Sequence, residues 1–326
     1  MYIETIKNIA GQKQKIWEEF LKSFSLDTDM NISETVLIFD DDTLIATGSR
    51  QGNILKCIAV DPSRQGEDLT SKIITPLRQS AFEEGFSHLF LYTKPENKYV
   101  FSSLFFYEIA KTDKVLLMEN RQDGISSFIN SLKKDDSGKN VGACVMNCNP
   151  FTLGHRYLIE TASKQCDLLY VFVVSEDKSE FSFKDRFEMV KRGCEDLKNV
   201  RVLETGPYLI SSATFPTYFL KDKDNVNEIQ CMLDIEIFSK YYAPHFSITK
   251  RFVGTEPLSP STDKYNQALK KYLPQKNIEL IEVPRLETKD TPISASKVRK
   301  LIKENNFEAL QEYLPKTTLE YIKEDL

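Results

Sequence analysis

Two kinds of hydrophobic pattern divide the chain. In its first part, strand-like apolar runs at Thr35–Phe39, Asn53–Val60 and His88–Tyr92 are mixed with amphipathic stretches. These stretches predict helices over Ile16–Phe24 and Leu69–Glu84. Strands interrupted by only one or two helices are typical of an α+β domain.

After residue 140 the pattern changes to a regular alternation of short apolar strands and helices. The runs DLLYVFVVS and IELIEV are almost continuously apolar, which is typical of strands buried on both faces of a parallel sheet. We therefore predict an α/β, Rossmann-like domain. Its predicted elements are strands 141–147, 167–175, 200–203, 249–253 and 278–283, and helices 153–165, 183–196, 225–242, 264–272 and 295–305.

The sharpest change in composition separates these two parts. The segment KKDDSGKN at 133–140 is charged, contains a glycine and lacks apolar periodicity. It is therefore interpreted as a linker or long surface turn. We expect an N-terminal domain at 1–134, a linker at 135–140 and a C-terminal domain at 141–326.

Composition narrows the class of protein. The 326 residues suffice for two domains, and a net charge of −5 argues against a nucleic-acid partner. No run approaches the roughly 20 apolar residues of a membrane span, and the first residues contain no apolar signal core. We therefore expect no membrane association and a cytoplasmic location. The six cysteines form no CxxC pair, which favours buried reduced thiols over a zinc site.

Several polar loops should meet at one edge of the predicted parallel sheet. The segment NPFTLGH (Asn149–His155) follows the first strand, Glu176–Lys184 follows the second, and Gly254–Glu256 follows a later one. Ligands of such sheets bind beyond the carboxyl ends of the strands. In NPFTLGH an imidazole and free backbone N–H groups lie at a helix start, where anions bind well. In ISASKVR (Ile293–Arg299) hydroxyl groups precede a cation by one turn, so the pattern favours phosphate chemistry.

These segments resemble the signatures of a known family. NPFTLGH resembles the (H/T)xGH signature of the nucleotidyltransferase superfamily, and ISASKVR resembles its second signature, of the ISSTxxR type. Together with ISSATFPTYFLKD and RFVGTEPLSPSTDKYN they are similar, in order and spacing, to the citrate lyase ligase family. The resemblance is strongest from Val141 to Ile302, and the N-terminal half resembles the acetyltransferase (GNAT) fold.

The resemblance implies an acid–thiol ligase. ATP and acetate would give acetyl-adenylate and pyrophosphate, and the acetyl group would pass to the CoA-like prosthetic group of the citrate lyase acyl-carrier subunit. The implied cofactors are ATP and Mg²⁺, with the metal held through the ATP phosphates. No carboxylate cluster marks a dedicated metal site, and Asp263 and Glu256 are candidates for outer-sphere contacts only.

Four residues are candidates for catalysis. His155 can donate to phosphate oxygens, and protonation would strengthen that donation. Thr152 stands where many superfamily members carry a histidine, and its hydroxyl can donate one hydrogen bond but carries no charge. Arg299 can bind a phosphate bidentately. By the spacing of the superfamily loop, Lys178 is the candidate phosphate contact, with Lys184 as the alternative.

A second group of residues is expected to bind the nucleotide. Ser294 or Ser296 can cap the helix that carries Arg299, and Gly254 and Glu256 follow a strand where adenine or ribose can pack. Asn149 can shape the loop or contact phosphate. Arg186 is a superfamily-like arginine that could equally be structural. The full set of predicted nucleotide contacts is Asn149, Phe151, Gly154, Gly254, Glu256, Ser294 and Ser296.

The N-terminal half carries one further candidate segment, VDPSRQG (Val60–Gly66). It resembles the GNAT loop whose backbone N–H groups hold the CoA pyrophosphate. Asp68 replaces the second small residue of that pattern, and its charge would repel pyrophosphate. We therefore expect a docking surface for the CoA-like arm rather than independent acetyl transfer.

Two other functions stay open at this point. An adenylyltransferase that makes a dinucleotide or dephospho-CoA would share the C-terminal fold, although such enzymes often lack the N-terminal half. A catalytically silent carrier-protein binder or regulator would keep the fold without the reaction. Acetate-dependent formation of AMP separates the ligase from both.

Overall fold

The computed structural model of the protein describes residues 1–28, 31–135, 138–177, 179–209, 215–220, 226–256, 259–288 and 291–324. The chain forms two compact units. The first comprises Met1–Gly124 with Thr214–Leu233, and the second comprises Ile125–Ala213 with Asp234–Leu326. These units are defined by contacts within the folded chain. The predicted domains, 1–134 and 141–326, have different bounds and stay a prediction.

The first unit is built on a mixed sheet of seven strands. Its strands are β1 (Tyr2–Lys7), β2 (Glu34–Asp40), β3 (Thr43–Gln51), β4 (Ile54–Val60), β5 (Phe90–Thr93), β6 (Tyr107–Lys111) and β7 (Leu116–Glu119). Its helices are α1 (Gly11–Ser23), α2 (Leu69–Glu83) and α3 (Lys98–Ser102). The strand order is β1-β2-β3-β4-β5-β7-β6, and only β4 and β5 pair in parallel.

The second unit contains a parallel sheet of five strands. The strands are β8 (Val141–Met146), β9 (Leu168–Val173), β10 (Val200–Glu204), β11 (Ile248–Gly254) and β12 (Glu279–Val283), with a short hairpin of β13 (Glu287–Thr288) and β14 (Thr291–Pro292). The helices that follow α3 in the chain are α4 (Gly124–Ser131), α5 (Leu153–Ser163), α6 (Phe183–Gly193), α7 (Val226–Ile237), α8 (Ala243–Phe246), α9 (Pro260–Tyr272), α10 (Ala295–Lys303), α11 (Phe307–Leu310) and α12 (Lys316–Glu324).

The order of the parallel strands positions the candidate loops. The sheet order is β10-β9-β8-β11-β12, so the chain runs outward from β8 to one edge and then returns to the other side of β8. Between β8 and β11 the order reverses, and ligands bind at such a switch point. The loops after β8, β9, β11 and β12 therefore leave the sheet at its carboxyl edge.

These sheets confirm the predicted fold class, an α/β chain with a parallel C-terminal sheet preceded by a mixed α+β part. The prediction missed β3, because several of its buried residues are polar and therefore break the apolar pattern of a strand. Thr47 donates to the Val36 carbonyl at 2.9 Å, and Arg50 donates to Glu34 at 2.8 Å. Pairing across β2 and β3 thus satisfies polar groups that hydrophobic periodicity cannot reveal.

The cysteines are buried, as predicted. All six are buried, and burial raises the pKa of the Cys166 thiol to about 11. None of the described helices is long and apolar enough to cross a membrane.

The core of the second unit fits closely beneath the loop after β8. Phe151 is fully buried there, and Gly193 at the end of α6 lies directly against its ring. A Cβ atom at Gly193 would lie 2.3 Å from Phe151 Cε1, which is closer than real Cβ contacts. The absence of a side chain at Gly193 therefore fixes where the loop can lie.

We expect Gly193→Ala to destabilise the second unit by about 1–3 kcal/mol, because the added methyl group overpacks the core against Phe151. Urea unfolding followed by circular dichroism measures the effect. Gly254→Ala is the matched control, because a Cβ at Gly254 meets no atom within 4 Å. Equal midpoints for both variants would contradict the close fit at Gly193.

Candidate functional site

The loop after β8 ends in a reciprocal cap at the start of α5. Thr152 is the N-cap residue, and its hydroxyl accepts from the backbone N–H of His155 at 3.4 Å. In return, the backbone N–H of Thr152 donates to Nδ1 of His155 at 3.0 Å. Threonine and histidine thus complete a capping box in which the imidazole takes the place of the usual Glu or Gln. This cap fixes the imidazole at the helix start.

The cap also determines which nitrogen of His155 carries the proton. Nδ1 accepts from the Thr152 N–H and lies 2.9 Å from the Thr152 hydroxyl, so the proton of the neutral ring is assigned to Nε2. Burial, together with the positive charge of Arg285, lowers the pKa of His155 to about 4. His155 is therefore a neutral donor near pH 7. At the helix start the residue is half-buried.

Phe151 supports the imidazole from within the core. Its ring stacks on that of His155 with centroids 6.0 Å apart and an interplanar angle of 16°. Because the side chain is fully buried, only its backbone is available for the predicted nucleotide contact. Gly154 is half-buried, and a Cβ there would make ordinary contacts with Thr152 and Ile293 at 3.6 Å.

Arg299 joins the two signature segments, although they are 150 residues apart. Its guanidinium donates to the backbone carbonyl of Asn149 at 2.6 Å and to the Ser296 hydroxyl at 3.0 Å. Ser294 occupies the N-cap position of α10, but its side chain makes no capping hydrogen bond. The expected hydroxyl cap is thus absent at Ser294, and Ser296 contacts Arg299 instead. Asn149 acts as a loop former here, because its side chain also accepts from the Phe181 N–H at 3.2 Å.

The loop after β9 brings a carboxylate to the same place. Glu180 lies 3.6 Å from Nε of Arg299 and 3.2 Å from Nζ of Lys303. Lys178, the predicted phosphate contact on this loop, lies outside the described residues. Lys184 is exposed on the first turn of α6, where the sequence placed it.

Arg186 hydrogen-bonds to the backbone of the loop after β9 and to the ends of β8 and β9. Its side chain is fully buried and donates to the backbone carbonyls of Asn147 and Val174, both at 2.8 Å, and of Phe181 at 3.1 Å. Hydrogen bonds from one charged group to several carbonyls satisfy the ends of β8 and β9 together. Of the two roles considered for Arg186, the structure favours the structural one.

Gly254 and Glu256 mark the loop after β11. The space beside the Gly254 Cα is open, and its carbonyl accepts from the Asn266 side chain at 2.9 Å. Glu256 is nearly buried and forms an ion pair with Arg285. Sequence reasoning missed Arg285. Its position two residues after β12, at the same sheet edge as the other loops, was the signal that could have identified it.

No group of three histidine, cysteine, aspartate or glutamate side chains that could hold a metal ion occurs within the described ranges. The two carboxylates considered for outer-sphere contacts have protein partners. Asp263 accepts from the Gln267 amide at 2.6 Å, and Glu256 pairs with Arg285.

The chain is similar to several known proteins. Residues 141–322 match the family described as the citrate lyase ligase C-terminal domain. The citrate (pro-3S)-lyase ligase of Klebsiella pneumoniae is 42% identical over 311 residues, covering 94% of this chain and 91% of the relative. That of Escherichia coli (strain K12) is 38% identical over 325 residues, covering 98% and 92%. The crystal structure of Thermotoga maritima TmcAL bound with alpha-thio ATP aligns with a TM-score of 0.36 and 16% identity over 57% of this chain and 56% of that chain.

We expect the His155 imidazole to titrate near pH 4 instead of near its ordinary pKa of 6.5. Between these values the unfolded chain binds more protons, so the free energy of unfolding should fall as the pH drops from 6.5 to 4. Imidazole NMR measures the pKa, and His155→Gln both assigns the signal and should show a shallower loss of stability. A midpoint at or above 6.5 would contradict the neutral donor.

Proposed function

Because the chain belongs to the citrate lyase ligase family, we propose that it activates acetate with ATP and acetylates the citrate lyase acyl-carrier subunit. First, an acetate oxygen bonds to the α-phosphorus of ATP, and pyrophosphate leaves. The prosthetic-group thiol of the carrier then attacks the acetyl carbonyl and loses its proton to solvent, and AMP leaves. The product is an acetyl thioester in the cytoplasm, where citrate lyase becomes active.

The convergence of donors at the sheet edge is the observation that carries this proposal. Nε2 of His155 and the guanidinium of Arg299 belong to segments that are joined by the hydrogen bond from Arg299 to the Asn149 carbonyl. The backbone N–H groups of Leu153 and His155 at the start of α5 donate to the Tyr313 carbonyl and the Thr152 hydroxyl. Attack on an α-phosphorus needs positioning and stabilisation of negative charge more than covalent help from the protein. A neutral imidazole and a permanently charged arginine together can supply such stabilisation.

The remaining nucleotide contacts are proposed from the same arrangement. The open space beside Gly254 supports a flat base packed against the backbone, with Glu256 close to the ribose. Ser294 and Ser296 would contact phosphate from the start of α10, and Lys178 would do so from the loop after β9. Mg²⁺ would bind through the ATP phosphates and neutralise the departing pyrophosphate.

Incubation with ATP, acetate and hydroxylamine tests the proposed function. We expect acetyl hydroxamate and AMP in equal amounts, together with acetate-dependent exchange of pyrophosphate into ATP. His155→Ala should lower the exchange rate about 10²–10³-fold, because one donor to the transition state is removed. It should also lower stability, because the Thr152 N–H loses its acceptor.

His155→Gln separates these two effects. Glutamine at this position is the ordinary partner in a capping box, so it should restore stability but leave the exchange rate low. Exchange near the wild-type rate in His155→Gln would remove His155 from the chemistry and leave it a capping role alone. Wild-type protein that releases no AMP in response to acetate would overturn the ligase proposal itself.

The N-terminal part is proposed to dock the CoA-like arm of the carrier. In the exposed loop after β4, Asp61 accepts from the Ser63 N–H at 2.9 Å, and Arg64 pairs with both Asp40 and Glu67. Carboxylates of the chain itself thus occupy donors that a pyrophosphate would need, which supports docking over independent CoA binding. We thus propose that residues 1–134 dock the carrier and that residues 141–326 form the acetyl-adenylate.

Gln65→Glu tests this docking surface. The added charge should repel the phosphates of the arm and slow acetyl transfer to the carrier several-fold, while acetate-dependent pyrophosphate exchange stays unchanged. Single-turnover transfer from preformed acetyl-adenylate measures the effect. Ser102→Asp, which adds a charge at the end of α3, is the control. Equal transfer rates in both variants would refute docking at the loop after β4.

A further inference from the structure

Arg285 connects three segments at the carboxyl edge of the parallel sheet. Its Nε donates to the Thr255 carbonyl at 2.8 Å, and one terminal nitrogen donates to the Ile293 carbonyl at 3.3 Å. The other terminal nitrogen pairs with Glu256, whose side chain is only 7% exposed. Its backbone N–H also donates to the Thr255 hydroxyl at 3.2 Å. One side chain therefore holds the loops after β11 and β12 against the start of α10.

The same guanidinium is connected through Ile293 to Gly154, the residue next to His155. Ile293, whose carbonyl Arg285 holds, lies 3.6 Å from the position of a Cβ at Gly154, next to the imidazole. Burial of the imidazole is the main cause of the lowered pKa of His155, and the positive charge of Arg285 is the second cause. On the imidazole's own helix, Arg156 is neutralised by Glu160 and Asp196. Thr152 and Phe151, which contact the imidazole, carry no charge.

We propose that Arg285 is a positioning residue of the adenylation site, which holds the loop Gly254–Glu256 and the start of α10 together and whose permanent positive charge acts on His155. This inference rests on the proposed function. Arginine suits the task because its planar fork reaches two carbonyls and a carboxylate at once and never loses its charge. Lysine can replace the charge but not the fork.

The experiment compares Arg285→Gln and Arg285→Lys in the full-length protein. Arg201→Gln is the matched control, because Arg201 likewise donates to two carbonyls, of Lys198 and Val200, and pairs with a carboxylate, Asp135. The readouts are KM for ATP and kcat in pyrophosphate exchange across pH, and the titration of His155 by imidazole NMR. Circular dichroism establishes that each variant is folded.

We expect Arg285→Gln to raise KM for ATP about tenfold or more, since hydrogen bonds to a charged group are lost at the loop that faces the nucleotide. The titration midpoint of His155 should rise from about 4 towards 6.5, and the acidic limb of the rate should move with it. Arg285→Lys should keep the low midpoint but share the raised KM. Arg201→Gln should change neither quantity.

Two outcomes would overturn the inference. One is an unchanged KM and an unchanged His155 midpoint in folded Arg285→Gln. The other is a His155 midpoint that shifts equally in Arg285→Gln and Arg285→Lys, because charge would then not be the cause. If wild-type protein shows no acetate-dependent exchange, the proposed function fails. The NMR midpoint and calorimetric binding of ATP still decide the role of Arg285 in that case.

Discussion

The hydrogen bond from the Thr152 N–H to Nδ1 of His155 is the interaction on which the rest of the site depends. It satisfies a donor that a helix start would otherwise leave unpaired, and it forces the proton of the neutral imidazole onto Nε2. Structure and chemistry are thus coupled in one side chain. The Thr152 hydroxyl lies 2.9 Å from Nδ1 and accepts from the backbone N–H of His155.

A neutral imidazole leaves the permanent charges of the site to arginines. Arg299 spans 150 residues of sequence to reach the Asn149 carbonyl, so the second signature helix can hold its place only if the loop after β8 is correctly formed. Arg186, buried among the carbonyls at the ends of β8 and β9, hydrogen-bonds to the beginning of that loop. One arginine, Arg186, is therefore buried under the loops, and another, Arg299, lies at their surface.

Hydrophobic periodicity predicted the parallel sheet well, because its strands are buried on both faces and have few polar residues. It failed for β3, where buried polar side chains such as Thr47 find partners only on a neighbouring strand. His155 and Arg299 could be proposed because the short segments that contain them resemble known signatures, and their roles in the reaction stay predictions. Arg285 could not be proposed, because its role arises from carbonyls of Thr255 and Ile293 that approach it only in the folded chain.

Three cations of the candidate site lie against carboxylates of the chain. Arg285 pairs with Glu256, and Arg299 and Lys303 both lie near Glu180. An incoming phosphate would therefore exchange with a carboxylate and would not meet a bare charge, so part of the electrostatic gain is cancelled by the pairs that break. Such exchange limits the affinity for anions in general. A triphosphate, which offers several oxygens in a fixed order, gains more from it than a single phosphate does, and the pairing thereby favours selectivity over tight binding.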